Sequence, residues 1–243
     1  MNIAYYVGAC DKSDMLLAVA ALLSRLERKV LLIDGTTLGW LKFRNGAWVT
    51  KEQWVAWNGW DCASGVRDWN EVEALVQALH IDLEGYDNII IDTDQIDFYP
   101  AERFSSLDEK YLVLTAETSS IHRHLEWMML YELQHQRDIN DQLQFIIMHA
   151  ADPQEDRRYV EQVLTSAGVH SIREPLVIPY EESDWIAKLR SDTRQTIELK
   201  LYARSTRDVW RELVESSAGP LTDKIWRTII KGSLRGSRHH EAI

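Results

Sequence analysis

Residues 7–13 read VGACDKS and connect an apolar segment at 3–7 to a second apolar segment that runs over 14–27 at helical spacing. The first segment is typical of a buried strand and the second of an amphipathic helix. A loop in this position that ends in Lys-Ser is the pattern of a phosphate-binding loop, in which backbone amides hold an anion and the lysine neutralises it. Asp11 replaces the glycine that normally precedes the lysine. The stretch predicts a nucleotide-binding fold whose chemistry is weakened or lost.

The length and composition fit one globular domain. The chain has 243 residues, of which 45% are hydrophobic, so it can bury a full core. Its net charge of −11 argues against a broad basic surface for non-specific binding of nucleic acid. Cys10 and Cys62 have neither disulfide nor metal spacing, and we recognise neither a secretory signal nor a membrane-spanning run. We therefore expect a cytoplasmic protein.

Short apolar runs alternate with amphipathic stretches along the chain. The runs predict strands over residues 3–7, 30–33, 88–91, 111–115, 144–148 and 176–178. The stretches predict helices over residues 14–27, 68–80, 120–136, 153–167 and 206–216. Buried parallel strands are continuously apolar, and strands that alternate with helices predict a parallel sheet covered on both faces. The predicted fold is a single three-layer α/β domain with a mostly parallel sheet flanked by helices.

The segment at about residues 38–66, after the second predicted strand, is rich in tryptophan. Asn45-Gly46 lies between two strand-like runs, 41–44 and 47–49, and predicts a hairpin turn there. One interpretation of the segment is a small satellite core under a long loop. The other is a surface that docks a partner protein, because tryptophan is enriched at interaction hot spots. In the second interpretation the contact residues are Trp48, Trp54, Trp57 and Trp60.

Six segments, in their order and spacing, resemble the ParA/MinD family of P-loop ATPases, the deviant-Walker group. They are the strand-loop-helix start, RKVLLIDGTT at 28–37, YDNIIIDTD at 86–94, YLVLTAETSS at 111–120, QFIIMHAAD at 144–152 and PLVIPYEES at 175–183. The resemblance covers residues 1–216 and implies a P-loop NTPase domain. It leaves residues 217–243 as a separate tail.

The resemblance also implies roles for the loop residues. Gly8, Lys12 and Ser13 match a loop glycine, the phosphate-binding lysine and the hydroxyl that ligates Mg²⁺. Asp11 brings a carboxylate next to the phosphate position, and like charges roughly 4 Å apart repel by about 4 kcal/mol at an intermediate dielectric. Val7 stands where the family has a lysine that reaches across a nucleotide-sandwiched dimer. That contact cannot form in this chain.

The residues that correspond to hydrolysis and base recognition are altered too. Asp34 and Asp92 match family carboxylates, but Thr36 replaces the aspartate that orients the attacking water. His149 stands at the position of the base-recognising asparagine. Because positioning and electrostatics supply nearly all catalysis of phosphoryl transfer, we assign no catalytic residue. The implied cofactor is ATP or ADP with Mg²⁺, or none.

The same residues have a purely structural interpretation. Lys12 and Ser13 could simply open a helix that Asp11 or Ser13 caps. Carboxylates at strand ends, such as Asp34 and Asp92, often solvate loops, and a lone loop histidine is rarely a ligand. The histidines, cysteines and carboxylates have no convincing metal-site spacing, so we predict no metal centre of the protein's own.

The tail at 217–243 contains five basic and two acidic residues. On a helical wheel its apolar and basic residues lie on opposite sides, which is typical of a helix lying in a membrane interface and similar to the C-terminal helix of MinD-like proteins. The predicted membrane-binding residues are Lys224, Ile225, Trp226, Arg227, Ile229, Ile230, Lys231, Leu234 and Arg235. The competing interpretation is an ordinary terminal helix that packs Trp226 and Ile230 back onto the domain.

These observations lead to one functional hypothesis and two alternatives. The hypothesis is a pseudo-ATPase or weak nucleotide binder that acts as a peripheral-membrane scaffold, with an anionic membrane and the proteins of a bacterial envelope machine (pilus, secretion system or flagellum) as partners. A homodimer is compatible with the resemblance. The first alternative is an active ATPase in which another carboxylate, such as Asp94, positions water. The second is a DNA partition protein, against which the acidic charge argues.

Overall fold

A computed structural model describes residues 1–135 and 142–232 of the chain. Its strands are β1 (Asn2–Val7), β2 (Val30–Gly35), β3 (Trp54–Trp57), β4 (Trp60–Ser64), β5 (Asn88–Thr93), β6 (Glu109–Thr115), β7 (Gln144–Ala150) and β8 (Leu176–Pro179). They form one sheet in the order β3-β4-β2-β5-β1-β6-β7-β8. All neighbouring strands are parallel except β3 and β4, which form an antiparallel hairpin at one edge.

Helices follow most of the strands. They are α1 (Ser13–Arg25), α2 (Leu41–Arg44), α3 (Ala47–Thr50), α4 (Trp69–Ala78), α5 (Thr118–His135), α6 (Pro153–Ser166), α7 (Glu182–Arg194), α8 (Arg204–Ala218) and α9 (Asp223–Lys231). Short 3₁₀ helices occur at Leu83–Gly85, Ala101–Ser106 and Leu199–Leu201. None of the helices in the described ranges is long and apolar enough to cross a membrane.

The side chains of the sheet alternate between two hydrophobic cores. On β1, Ala4 and Tyr6 point into a core shared with α1, α8 and α9, whereas Tyr5 and Val7 point into a core shared with α4, α5 and α6. This alternation is the period of two expected for a strand. Helices therefore cover both faces of the sheet, and the predicted three-layer α/β fold is confirmed.

The carboxyl ends of three parallel strands meet at one edge and create the candidate site. β1 lies between β5 and β6, with Tyr6 opposite Asp92 and Val7 opposite Thr93. On the other side of β5, Asp34 of β2 is opposite Asp92. In open α/β sheets, ligands bind beyond the carboxyl ends of the strands where the strand order reverses. The loop at residues 8–12 leaves β1 at this point.

The tryptophan-rich segment is folded differently from its prediction. No hairpin forms at Asn45-Gly46, which instead joins α2 to α3, because Asn45 has φ −95° and its side-chain oxygen accepts a hydrogen bond from the amide of Ala47 at 3.0 Å. The hairpin connects β3 to β4 through Asn58-Gly59, with φ values of 51° and 94°. Two successive positive φ values are what a type I′ hairpin turn requires. The segment is thus the edge of the main sheet, and not a satellite core.

Two helices near the carboxyl end of the chain complete the fold. α7, at residues 182–194, was not predicted from the sequence. α9 falls within the predicted tail and packs against α1, with Trp226, Ile229 and Ile230 in the same core as the α1 side chains. Leu234 and Arg235, which belong to the membrane prediction, lie outside the described residues.

Candidate functional site

Gly8 is required by a close approach of the loop to β6. A Cβ atom at this position would lie 1.9 Å from the carbonyl oxygen of Val113, which is far inside van der Waals contact. The amide of Gly8 donates to the carbonyl of Thr93 at 3.0 Å, which fixes the loop against β5. The glycine therefore serves the packing of the loop between two strands, whether or not an anion binds.

Lys12 is buried and uses its ammonium group entirely within the protein. Its side chain is 1% exposed, and Nζ lies 2.7 Å from a carboxylate oxygen of Asp92. Nζ also donates to the carbonyl oxygens of Gly8 at 2.7 Å and Thr93 at 3.2 Å. An ammonium has three donors, and two of them go to these carbonyls while the charge is balanced by Asp92. In this arrangement the charge of Lys12 is neutralised within the protein and is not directed at a phosphate.

Asp92 receives a second partner that the sequence analysis did not anticipate. The indole nitrogen of Trp40 donates to Asp92 Oδ2 at 2.7 Å, while Lys12 pairs with Oδ1. Burial raises the pKa of Asp92, and the Lys12 ammonium and the Trp40 hydrogen bond oppose that rise. Both oxygens of the carboxylate expected to hold Mg²⁺ through water are thus engaged by side chains of the protein.

Asp11 places its carboxylate at the start of α1, where a phosphate-binding loop would hold an anion. One oxygen accepts from the amide of Ser13 at 2.9 Å, and the other lies 2.6 Å from Nζ of Lys188. Burial raises the pKa of this carboxyl group, but Lys188 and the Ser13 hydrogen bonds outweigh burial and lower it to about 2. Asp11 is therefore an internal anion that occupies a helix N-terminus.

Further charges extend this pairing across the mouth of the site. Lys188 of α7 lies 3.6 Å from Asp14 of α1, and Arg44 of α2 lies 3.6 Å from the same residue. Arg44 also pairs with Asp192 of α7 at 2.5 Å. Burial raises the pKa of Asp14 to about 6, although Lys188 and Arg44 oppose it. The network joins the loop, α1, α2 and α7 by ion pairs.

Asp34 is fully buried and has a structural environment. Its oxygens accept from the amide and hydroxyl of Thr36 at 3.0 and 2.5 Å and from the amide of Leu41 at 2.7 Å. Burial raises its pKa to about 6, with the neighbouring Asp92 adding to the rise. Thr36, which stands in place of a water-orienting aspartate, thus directs its hydroxyl to Asp34. The pair stabilises the turn into α2.

His124 is a site residue that the sequence analysis missed. It is fully buried on α5, and its Nε2 lies 3.2 Å from the amide nitrogen of Ala9, which donates to it. Its Nδ1 lies 2.6 Å from the carbonyl oxygen of Ser120, so Nδ1 carries the proton of the neutral ring. Burial lowers the pKa of His124 to about 4. A second amide of the loop is therefore occupied from within the protein.

A cleft of about 460 Å³ opens beside this loop. The charged residues that line it are Asp11, Asp92, Asp94, Asp192, Lys12, Arg44 and Lys188. Carboxylates outnumber cations, and each of the three cations is paired with an aspartate. A site for a nucleoside triphosphate needs more cations than carboxylates, because the phosphates are strongly negative.

The pocket at the position expected for the nucleotide base has a small volume. His149 follows β7 with φ 55° and is exposed, and it borders a pocket of about 50 Å³ that is also lined by Tyr180 and Lys188. An apolar cavity of about 150 Å³ holds benzene, which is smaller than a purine. Lys188 lines this pocket and the larger cleft, so its side chain lies at the boundary of both.

The residues present do not fit a bound Mg²⁺-nucleotide in this arrangement. The Lys12 ammonium and both oxygens of Asp92 already have partners within the protein. The Ser13 amide is taken by Asp11 and the Ala9 amide by His124. The structure thus places Gly8, Lys12, Ser13 and Asp92 around one cleft and Asp34 beside Asp92, and each of them is bonded to groups within the protein.

The tryptophans predicted to contact a partner mostly support the core. Trp60 is 5% exposed and packs edge-to-face on the half-buried Trp57, with ring centroids 5.5 Å apart. Trp54 is half-buried beside Tyr86. Trp48 lies in α3, and its side chain falls outside the described structure. Trp60 is therefore not available as a docking residue.

The apolar face of α9 is covered by the domain. Trp226, Ile229 and Ile230 are buried in the core that includes the α1 side chains. Their assignment as membrane-binding residues is corrected, because side chains packed in this core are not exposed to a membrane surface. Ile225 is 42% exposed, and the basic residues of the helix face outward: Lys224, Arg227 and Lys231. The interpretation of α9 as a packed terminal helix describes this arrangement.

Comparison with known proteins identifies the fold. No family model and no curated protein matches the chain. A chain of the MinC:MinD cell division protein complex of Aquifex aeolicus matches with a TM-score of 0.56 and 18% identity, over 91% of this chain and 99% of that one. A ParA family ATPase from Chlorobium tepidum TLS matches with a TM-score of 0.58 and 18% identity, over 88% and 98%.

The cell division ATPase MinD of Pyrococcus furiosus also matches, with a TM-score of 0.51 and 18% identity over 88% of this chain and 97% of that one. At such low identity the likeness concerns the fold, and it extends over nearly the whole length of each of these proteins. The α/β sheet order, the loop after β1 and these matches agree. The protein therefore has the P-loop fold of the MinD and ParA ATPases.

Proposed function

We propose that this chain is a pseudo-ATPase, or at most a weak nucleotide binder, that works as a scaffold. The observation that carries the proposal is the state of Lys12, whose ammonium is buried against Asp92 and two backbone carbonyls. To bind a phosphate, Lys12 must leave a buried ion pair, and a buried Asp92 left without its partner charge costs about 3–5 kcal/mol. Asp11 and His124 add to this cost because they hold the loop amides.

Thermal unfolding with and without Mg-ATP tests this proposal. A ligand at about 100 times its dissociation constant adds roughly 2.7 kcal/mol of stability, which shifts the melting curve measurably. We expect no shift for the natural chain and no nucleotide released when purified protein is denatured. The variant Asp11→Gly restores the loop glycine and frees the Ser13 amide, so we expect it to respond more strongly to Mg-ATP.

The matched control is Asp192→Asn, which removes one negative charge from the same cleft without touching the loop. A response of Asp192→Asn equal to that of Asp11→Gly would mean that charge alone, and not the blocked loop, limits binding. Clear stabilisation of the natural chain by Mg-ATP, with turnover that is lost in Lys12→Ala, would reject the pseudo-ATPase and establish the active-ATPase alternative.

The scaffold is proposed to lie at the inner face of the cell membrane and to position proteins of a bacterial envelope machine. The basic side of α9 supports the membrane part, because Lys224, Arg227 and Lys231 are exposed together while the apolar side is buried. Each basic residue near an anionic lipid surface contributes about 1 kcal/mol of attraction. Attachment would then be electrostatic and reversible. The envelope machine itself rests on the resemblance to the MinD/ParA fold.

Vesicle flotation tests the membrane part. We expect the chain to float with vesicles that contain anionic lipid, not with neutral phosphatidylcholine vesicles, and to be released by salt. The variant carrying Lys224→Glu, Arg227→Glu and Lys231→Glu keeps the buried face of α9 and should lose binding. The control reverses three exposed charges elsewhere, at Lys51, Lys200 and Arg204. Equal binding by the two triple variants would reject α9 as the contact.

A further inference from the structure

α7 has a buried side and an outer side with very different residues. Toward the domain, Ala187 and Ser191 are buried, and Asp184 accepts hydrogen bonds from the Ala203 amide at 2.6 Å and the Thr206 hydroxyl at 2.5 Å. Toward the loop, Lys188 and Asp192 form the ion pairs that join α7 to Asp11 and Arg44. These contacts on two sides hold the helix in place, so its outer side is a preorganised surface.

The outer side of α7 is apolar at its centre. Trp185, Ile186 and Leu189 are 51%, 44% and 50% exposed. They adjoin each other on the helix surface, since residues three or four apart are neighbours there. Tyr180, just before α7, is 60% exposed and lines the same small pocket as Trp185. Contiguous apolar surface of this kind marks an interaction site more often than scattered exposed residues do.

The spacing along this side is that of a helix-pairing seam. Glu182, Ile186, Leu189 and Thr193 follow one another at intervals of four, three and four residues, and all are exposed. Such a seam faces a second helix in the packing used by coiled coils and bundles. Its midpoint falls between Ile186 and Leu189. The seam therefore presents similar apolar surface on either side of a central point.

The two ends of the seam carry charges of opposite sign. The first turn of α7 is acidic, with Glu182 exposed, whereas the exposed Arg190 lies toward the other end, where Arg194 already pairs with Glu198 of the same chain. If a second α7 packs antiparallel, the acidic end of each helix meets the basic end of the other. Opposite charges and the opposed helix dipoles both favour that orientation, and a parallel pair would place like charges together.

We propose that the outer side of α7 binds the same surface of a second copy of this chain in an antiparallel helix pair. Ile186 then lies against the partner's Leu189, and Arg190 reaches the partner's Glu182. This isologous contact needs no nucleotide and no residue of the phosphate loop in the interface. Self-complementary charge is the reason to assign a second copy to the patch and not a different protein.

The interface is small, which sets the expected affinity. α7 has thirteen residues and is about 20 Å long, so one helix face and Tyr180 bury less than the roughly 800 Å² per partner of a standard interface. We expect a reversible dimer with a micromolar dissociation constant. Sedimentation velocity of the full chain, from low micromolar to the highest soluble concentration, should show a concentration-dependent shift from monomer to dimer.

Two matched substitutions test the location of the contact. Leu189→Glu should raise the dissociation constant about tenfold or more, because it places a carboxylate at the centre of the seam. Ile172→Glu is the control, since Ile172 is also 50% exposed but lies outside α7. It should leave the dissociation constant unchanged. Circular dichroism of both variants checks that the fold is intact.

A charge exchange tests the antiparallel orientation. Glu182→Arg alone and Arg190→Glu alone should each weaken the dimer several-fold, and the double variant should regain most of the affinity. Glu182 and Arg190 are eight residues apart on the same helix, too far to pair within one chain, so recovery can come only from the partner copy. A chain that stays monomeric at all concentrations overturns the proposal. So does a dimer that Leu189→Glu does not weaken, or one that the double exchange does not restore.

Discussion

α7 and α9 are short amphipathic helices near the carboxyl end of the chain. The apolar face of α9 is buried, whereas the apolar face of α7 is exposed. In α9, Trp226, Ile229 and Ile230 are 9%, 0% and 7% exposed. In α7, Trp185 and Ile186 are 51% and 44% exposed. The sequence predicts a membrane-facing apolar side for α9 and no helix at α7. The fold reverses those roles.

The contrast arises from what each helix meets on the domain. α9 places its apolar face against α1, and its two ends are fixed by arginines: Arg211 pairs with Asp223 at 2.8 Å, and Arg25 donates to the carbonyl of Ile229 at 2.7 Å. α7 faces the charged mouth of the site and is held by Lys188, Asp184 and Asp192. Apolar contacts along one face and arginines at both ends therefore hold α9, whereas α7 is held mainly by polar contacts, which leaves its apolar residues outside.

The largest expected difference between the two helices is in the cost of losing a tryptophan. Trp226→Ala removes a buried indole from the core beside α1 and should lower the free energy of unfolding by about 3–5 kcal/mol. Trp185→Ala removes a half-exposed ring and should change it by no more than about 0.5 kcal/mol. Urea unfolding followed by circular dichroism, at a concentration where the chain is monomeric, measures both. Equal costs would mean that α9 is not packed as described.

The charged contact at the end of α9 should have a smaller effect. Arg25→Met keeps the length of the side chain but removes the donor to the Ile229 carbonyl, which retains a hydrogen bond from the Gly232 amide at 3.2 Å. We expect a loss of about 1 kcal/mol in the free energy of unfolding. Arg204→Met is the control, because the Arg204 side chain is 87% exposed. If both variants lose equally little, apolar contacts alone hold α9.

Much of the fold could be predicted because its signals are local and repeated. The apolar runs that became β1, β2, β5, β6, β7 and β8 were assigned correctly, since buried parallel strands are continuously hydrophobic. α7 was missed because its inner face consists of small or polar residues such as Ala187 and Ser191. The segment contains two Asn-Gly pairs, Asn45-Gly46 and Asn58-Gly59, and the hairpin turn was predicted at the wrong one. Only Asn58-Gly59 has both residues at positive φ, which the sequence does not reveal.

Residues of the candidate site could be predicted from the sequence, but the side chains that pair with them could not. Asp11, Lys12 and Asp92 were recognised from the motif and its altered glycine. Trp40, His124 and Lys188, which bind these residues and the loop, come from elsewhere in the chain, 52 residues from Asp92 in the case of Trp40 and 115 from Ala9 in the case of His124. Pairings over such separations depend on the packing of the elements. The signal in the sequence was a histidine within the helix predicted at 120–136, and it is a weak one.

The ion pairs of α7 predict the smallest effect, and this effect should depend on pH. Asp11 has a pKa of about 2 in the folded chain against 3.8 ordinarily, so its pairing stabilises the fold above pH 3.8 and loses this effect as the pH falls toward 2. Burial keeps the pKa of Asp14 near 6 although Lys188 lowers it, so the benefit of Lys188 to Asp14 is present above pH 6 and shrinks below it.

Lys188→Met should therefore lower the free energy of unfolding by about 1 kcal/mol or less at pH 8, because these pairs are partly solvent-screened. The loss should shrink as the pH falls through about 6, where Asp14 takes up a proton, whereas the part due to Asp11 persists to about pH 4 and disappears only toward pH 2. Lys200→Met, a substitution of an exposed lysine, should show a difference from the natural chain that does not follow this course. Urea unfolding at pH 8, 6 and 4 measures all three proteins. A Lys188 effect that is constant or grows toward low pH would mean that the methylene stem of Lys188 holds α7 and that its charge does not.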